Sequence, residues 1–365
     1  MQSEHFRSLL NSSGPFGSVY FEDSHNTEDA AAQIDLKWRA LREQLEDQGA
    51  EPALTEHIER AVLDAAPPVG LSGRAVVATA DGVLVNEPLI RPAGPEVRVS
   101  TLPYIVPVVA HGVDRSTYVV AIVDHEGADI TLHRAHKTAA ETVDGAGYPV
   151  HQASGADTPG YADAQRATDA ARNQNVRTVA NRLVELVDDA APEIVFLVGE
   201  VSSRSDLVAD LPERVASLVV ELPVGARHSG FEDAELRDAI DEEFQRRRLA
   251  AIDHAAQQFQ AALGNDSGLA TEGLDGVTAA LRAGAVETLI IGDVGDATVV
   301  AGDDLATVAP NPNVLSELGT APTQTLRADE ALPMAAIATG ANLIRTDERI
   351  DPADGIAAVL RYALR

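Results

Sequence analysis

YVVAIVDHEGADITLH, Tyr118 to His133, is the stretch that decides how this chain folds. Tyr118 to Val123 is an apolar, β-branched run and predicts a strand, Glu126-Gly127 predicts a turn, and Ala128 to His133 predicts a second strand. Next comes GYPVHQASGADTPGY, Gly147 to Tyr161, where Pro149 and Pro159 lack backbone donors and the glycines relax the chain. That run predicts a long loop, a feature uncommon in compact proteins unless it serves a function. From Ala162 to Val187 the apolar residues Ala167, Ala171, Val176, Val179, Leu183 and Leu186 recur at helical spacing. APEIVFLVGE then reads as a strand apolar throughout, suited to the centre of a sheet, and LPERVASLVVELPVG as a helix-like stretch or turn followed by a strand, Leu218 to Leu222. Strands alternating with helices predict an α/β layer.

Upstream, FGSVYFED (Phe16 to Asp23) predicts a strand, Thr27 to Gln48 a helix capped by Thr27, and Leu54 to Leu63 a second helix. Arg74 to Ile90 predicts two strands joined at Asp81-Gly82, a dipeptide favoured in tight hairpins. A boundary is expected near His111-Gly112, after the proline-punctuated LPYIVPVVAHG. Downstream, Glu232 to Leu263 predicts one long helix carrying QRRR at Gln245 to Arg248 and stopped at Gly264-Asn265. GLDGVTAALRAGAVETLIIGD reads as helix, glycine stop and buried strand, and GDATVVAG as an edge strand. MAAIATGANLIRTDE repeats the helix-to-strand pattern, and DGIAAVLRY forms a last short element. The expectation is a mixed α/β and α+β chain of three domains: 1–112, 113–230 with the loop 147–161, and 231–365.

The chain has 365 residues, a formal net charge of -29, no cysteine, and lysine only at Lys37 and Lys137. Without cysteine there is no thiol catalysis, thiolate metal site or disulfide framework. The N-terminal MQSEHFRSLLNSSG lacks a basic segment followed by an apolar run, and no apolar stretch nears the ~18 residues of a membrane span. A soluble, cytoplasmic protein is expected. The acidity argues against broad phosphate binding and against DNA, yet a local basic patch remains compatible with it. GC-rich codon usage and adaptation to high salt both account for such a charge.

HRAHK, His133 to Lys137, places His133 and His136 near His125, but His133 and His136 point to opposite faces of a strand end and no third ligand shares a side. No metal or cofactor is expected. VGEVSSRSDL (Val198 to Leu207) reads as a serine-rich helix cap, or as a sheet edge presenting Ser202, Ser203 and Arg204 to a ligand. QRRR suits either phosphate contact or pairing along its own helix. Gln152 can position a water through its amide if main-chain donors and a substrate carbonyl lie nearby.

GPFGSVYFEDSHNTEDAA near the start, YVVAIVDHEGADITLH leading into GYPVHQ, and ALRAGAVETLIIGD near the end together resemble a bacterial member of the Pelota and archaeo-eukaryotic peptide-chain release factor superfamily, within it the actinobacterial, Balon-like hibernation proteins. The resemblance runs through nearly the whole chain and rests on the order of its motifs. It implies an N-terminal domain facing the decoding centre, a middle domain reaching the peptidyl transferase centre, and a ribosomal-protein-like α/β C-terminal domain that engages translation factors. Release factors carry Gly-Gly-Gln on the middle-domain loop; here Val150 and His151 stand where the glycines belong, before Gln152. A β-branched valine and a bulky histidine resist the backbone conformations that glycine permits. No motif matches the family's stop-codon-reading sequence.

The resemblance therefore implies a non-catalytic factor that binds the A site of idle 70S ribosomes during stress, with elongation factor Tu as a further partner. Ribosomal RNA would be met by Ser24, His25 and Asn26, by His133, His136 and Lys137, and by Tyr148, Pro149, Val150, His151, Gln152, Tyr161 and Arg166. Two other readings stand beside it. One is a peptidyl-tRNA hydrolase using Gln152 with help from His151. The other is a ribosome-independent stress protein that binds a nucleotide or a protein.

Overall fold

The computed structural model describes residues 3–24, 30–64, 72–90, 94–112, 117–134, 137–144, 161–224, 233–302, 307–346 and 349–364. The chain divides into two compact units, Met1–Val113 with Arg248–Arg365, and Asp114–Arg247.

The first unit opens with α1 (Arg7–Leu10), β1 (Phe16–Glu22), α2 (Ala30–Asp47), α3 (Pro52–Leu63), β2 (Gly73–Thr79), β3 (Gly82–Leu89), β4 (Glu96–Ser100) and α4 (Val106–His111). The strands form an antiparallel sheet in the order β3-β2-β1-β4. Strand alternation gives this sheet two apolar faces. Val19, Phe21, Val76 and Ala78 cluster with Trp38, Leu41 and Ile58 of α2 and α3, where Trp38 Nε1 donates to Glu59 Oε1 at 2.9 Å. Phe16, Tyr20, Ala75 and Val77 join a second core that includes Ala331, Leu332 and Met334 from far along the chain. The helix, strand and Asp81-Gly82 hairpin expectations hold here, while Thr27 lies outside the described residues. β4 and α4 are not anticipated from the sequence: each is short, β4 lies between Pro95 and Pro103, and α4 carries Pro107 in its first turn.

The second unit contains β5 (Tyr118–Val123), β6 (Gly127–Arg134), β7 (Lys137–Asp144), α5 (Tyr161–Ala190), β8 (Ile194–Gly199), α6 (Val201–Asp210), α7 (Glu213–Ala216) and β9 (Val219–Glu221). Its sheet runs β7-β6-β5-β8-β9, with β5, β8 and β9 parallel and β6 and β7 antiparallel. One face packs Val119, Ala121, Val195 and Leu197 against Leu183 of α5 and Leu207 of α6. The other packs Tyr118, Val120, Phe196 and Val198 against Ile240 and Phe244 of α8 (Asp233–Gly264). Burial on both faces is why Ile194 to Val198 is apolar throughout.

The C-terminal part of the first unit holds β10 (Ala270–Glu272), α9 (Gly273–Arg282), β11 (Val286–Ile291), β12 (Thr298–Ala301), β13 (Val308–Ala309), α10 (Pro312–Glu317), β14 (Gln324–Arg327), α11 (Ala328–Ala338), β15 (Asn342–Arg345) and β16 (Ile356–Leu360). They build a sheet β10-β16-β11-β15 and a small sheet β13-β12-β14. GDATVVAG is thus not an edge. Its strand β12 lies between two partners of two and four residues, too short to leave a periodic signal.

One polar network sits within this unit. Arg98 of β4 donates to Asp329 of α11 at 2.7 Å, lies 3.6 Å from Glu330, and stacks 3.4 Å over the Tyr104 ring. Arg327 also holds Asp329, at 3.0 and 3.1 Å. Burial, then the adjacent Asp329 carboxylate, raises the Glu330 pKa, and burial with Glu96 pushes the Tyr104 phenol up to about 12. Tyr20 donates its hydroxyl to the Tyr104 carbonyl. The α/β and α+β reading of the chain holds throughout. No described helix is long and apolar enough to cross a membrane.

Candidate functional site

The parallel strands of the second unit give its sheet a direction. β5 ends at Val123 beside Gly199, the end of β8, while the antiparallel hairpin returns β7 so that Asp144 lies opposite Gly127. The segment 145–160 therefore leaves from the carboxyl edge, the edge of a parallel sheet where ligands are commonly met. The edge is built tightly. Asp124 Oδ1 accepts from the backbone N–H groups of Glu126 and Gly127 at 2.7 and 2.9 Å, closing the turn. Gly199 has φ +129, and a side chain there would collide with the Val123 carbonyl, so only glycine fits.

Helix α5 crosses this edge. Asn175, buried on the helix, donates Nδ2 to the His125 carbonyl at 3.1 Å and so stands level with the turn. Tyr161 to Gln174 continue beyond it, a reach of roughly 21 Å. Lower down, Arg182 grips Glu141 of β7 through Nε and Nη2 at 2.7 and 2.8 Å and reaches Glu185 at 3.0 Å. Those carboxylates raise the guanidinium pKa further. Thr142 also donates to Asp129 at 2.9 Å. The strand before segment 145–160 is in this way fastened to the helix after it.

The sequence-predicted RNA residues divide between two ends. Tyr148, Pro149, Val150, His151 and Gln152 lie outside the described residues, between Asp144 and Tyr161; Tyr161 opens α5, and Arg166 follows within the overhang. His133 and Lys137 lie at the other end of the hairpin, the amino edge, roughly 24 Å away along β7; His136 lies outside the described residues. His133 is engaged within the unit itself. Its ring stacks on Tyr118 with centroids 4.4 Å apart and planes 7° apart, above Phe196 and Phe244. His125 sits at the carboxyl edge, so β6 separates it from His133, and no group of metal ligands occurs among the described residues.

Ser24 is engaged by the backbone: it donates to the Ser72 carbonyl at 3.3 Å and accepts from the Ser72 N–H at 3.1 Å. His25 and Asn26 lie outside the described residues. The serine cap expected at VGEVSSRSDL is replaced by Glu200 as the N-cap of α6, with no side-chain cap bond. Arg204 is buried and turned inward, donating to the Leu222 carbonyl at 3.1 Å beside Glu221 at 3.4 Å. QRRR is spent internally. Arg246 and Arg247 both hold Glu243, at 2.6 and 2.9 Å, while Arg248 donates to the carbonyls of Val109, Ala110 and Gly112. Burial opposes ionisation of Glu243, but the two guanidinium bonds outweigh it and lower its pKa. Asn175, Arg182 and Gly199 escaped the sequence reading. Asp124, three residues before Gly127, carried a legible turn signal.

Residues 117–265 match the model of the bacterial archaeo-eukaryotic release factor family 2. Two uncharacterized proteins of Mycobacterium tuberculosis, MT2704 and Rv2629, are each 50% identical over 364 residues, which span 100% of this chain and 97% of theirs. Among solved structures, a model of ribosome-bound archaeal Pelota with ABCE1 is 14% identical with TM-score 0.42, covering 100% of this chain and 95% of that one. The archaeal translation termination factor aRF1 is 15% identical with TM-score 0.25, covering 99% of each chain.

Proposed function

We propose a ribosomal role for this protein from one premise: the chain belongs to the bacterial branch of the Pelota and archaeo-eukaryotic release factor superfamily. On this reading it is a cytoplasmic, non-catalytic hibernation factor. It occupies the vacant A site of idle ribosomes and blocks tRNA and translation factors. The observation that carries the reading is Val150-His151 before Gln152, in a segment issuing from the carboxyl edge of the second unit where the family places its catalytic loop. Without the glycine pair the backbone cannot approach peptidyl-tRNA as a hydrolase requires. Shape, stacking and phosphate contact remain available to Tyr148, His151, Tyr161 and Arg166. The chain from 1 to 112 would face the decoding centre, 113 to 230 the peptidyl transferase centre, and 231 to 365 a translation factor, elongation factor Tu.

Purified 70S ribosomes should carry the protein through a sucrose cushion at low and moderate salt, and pre-bound A-site tRNA should exclude it. Failure to co-sediment in either salt would end the proposal. Retention of Gln152 keeps one competing reading, peptidyl-tRNA hydrolysis, which release of peptide from stalled complexes would establish.

A further inference from the structure

Among the described residues, the sheet edges other than β7 are short or visibly blunted. Gln48 seals β4 by donating Nε2 to the Val97 carbonyl and accepting from the Val99 N–H, both at 2.9 Å, in the manner of a neighbouring strand. β3 carries Pro88 and is covered at its end, where Leu89 bridges Gly112 and the Ile90 N–H reaches the His111 carbonyl. β9 and β10 have three residues, β13 two, and β14 and β15 four. Natural sheets use such devices to prevent edge pairing. β7 has eight residues, unbroken register along β6, no proline, and mostly exposed side chains. No described residue outside β6 hydrogen-bonds the backbone between Thr138 and Val143.

We propose that β7 is a self-pairing edge, to which a second copy of this chain adds its own β7 in antiparallel register about a two-fold axis at Ala140. Such an axis stands perpendicular to the sheet, so each face continues across the seam and directly opposed residues must share a face. Glu141 and Val143 face α5, through Arg182 and the apolar core respectively, with Lys137 and Ala139 on the same side. Centring on Ala140 sets Thr138 against Thr142, Ala139 against Glu141 and Lys137 against Val143, with only small side chains at the axis. Centring on Glu141 would oppose two carboxylates, which is unfavourable. The ends also complement each other. Arg134 and Lys137 mark one end of the hairpin edge, Asp144 and Glu126 the other, and antiparallel pairing sets each basic end beside an acidic one.

The seam works against the net charge of -29 per chain, which repels a second copy until salt screens it. An eight-residue strand pair also falls short of the ~1,000 Å² of a firm interface. The dimer is accordingly weak and strengthened by salt. This inference stands apart from the ribosomal reading.

The test uses the full chain. Sedimentation equilibrium should show monomer at low salt and rising dimer toward ~0.5 M salt. The protein has no cysteine, so oxidised Ala140→Cys should yield a covalent dimer several-fold faster than Val83→Cys, a control on the exposed part of β3. Ala140→Glu and Ala140→Lys should each abolish association, and mixing them should restore it. Ala140 is exposed, so circular dichroism of the variants should match the parent. A chain that stays monomeric at every salt and concentration, with Ala140→Cys no faster than the control, would overturn the proposal, even if β7 then took up another polypeptide.

Discussion

Arg182 of α5 holds both carboxylate oxygens of Glu141 in β7, so the two elements that bracket residues 145–160 are fastened to each other. The side chains are 36% and 35% exposed, which makes this a surface pair whose strength comes from its bidentate form. A double-mutant cycle on Arg182→Ala and Glu141→Ala should return a coupling of about 0.5 to 1 kcal/mol in denaturant unfolding. A coupling of zero would mean that the strand and helix are held by their apolar contacts alone.

Gly199 should tolerate no side chain. Gly199→Ala places a methyl group against the Val123 carbonyl at a positive φ, at the junction of β5 and β8. We expect a loss of roughly 3 kcal/mol or more, read as a large fall in the unfolding midpoint. A midpoint near that of the parent would show that the strand end shifts freely.

Gln152 separates the two ribosomal readings. The parent protein should release no peptide from stalled complexes, and Gln152→Ala should leave that result unchanged. If release occurs and Gln152→Ala abolishes it, the protein is a hydrolase.

Glu330 predicts an unusual pH response. Its folded pKa lies above its ordinary value of 4.5 because it is buried and adjoins Asp329, with Arg98 and Arg327 opposing in part. The folded state then binds this proton more tightly than the unfolded chain. The charge begins to cost stability above pH 4.5, and the cost grows until the pH passes the folded value. Glu330→Gln keeps the shape without the charge. Its stability relative to the parent should therefore rise across that window and level off above it, measured as melting temperature against pH. A relative stability that falls as pH rises would show that the ion pair with Arg98 outweighs burial.

Much of the second unit was legible because two-sided burial writes itself into sequence: Tyr118 to Val123 and Ile194 to Val198 are nearly unbroken apolar runs. β7 was not legible, since a solvated edge strand such as KTAAETVD needs no apolar face. β4 escaped for another reason: its apolar alternation is only Val97 and Val99, too short to stand out, and its outer side is closed by Gln48 from a distant helix end. Long-range polar partners leave no periodic trace, which is why Arg182 and Asn175 escape a reading of the sequence, and the stacking of His133 on Tyr118 across the hairpin leaves none either. QRRR shows the converse: its i to i+4 reading was available from spacing, and Glu243 at the matching position bears it out for Arg247.

The overhang of α5 lets the protein vary reach and chemistry independently. How far α5 runs past Asn175 is set by helix length and owes nothing to residues 150 and 151. The residues at 150 and 151 can therefore change without redrawing the strand and the helix that bracket them.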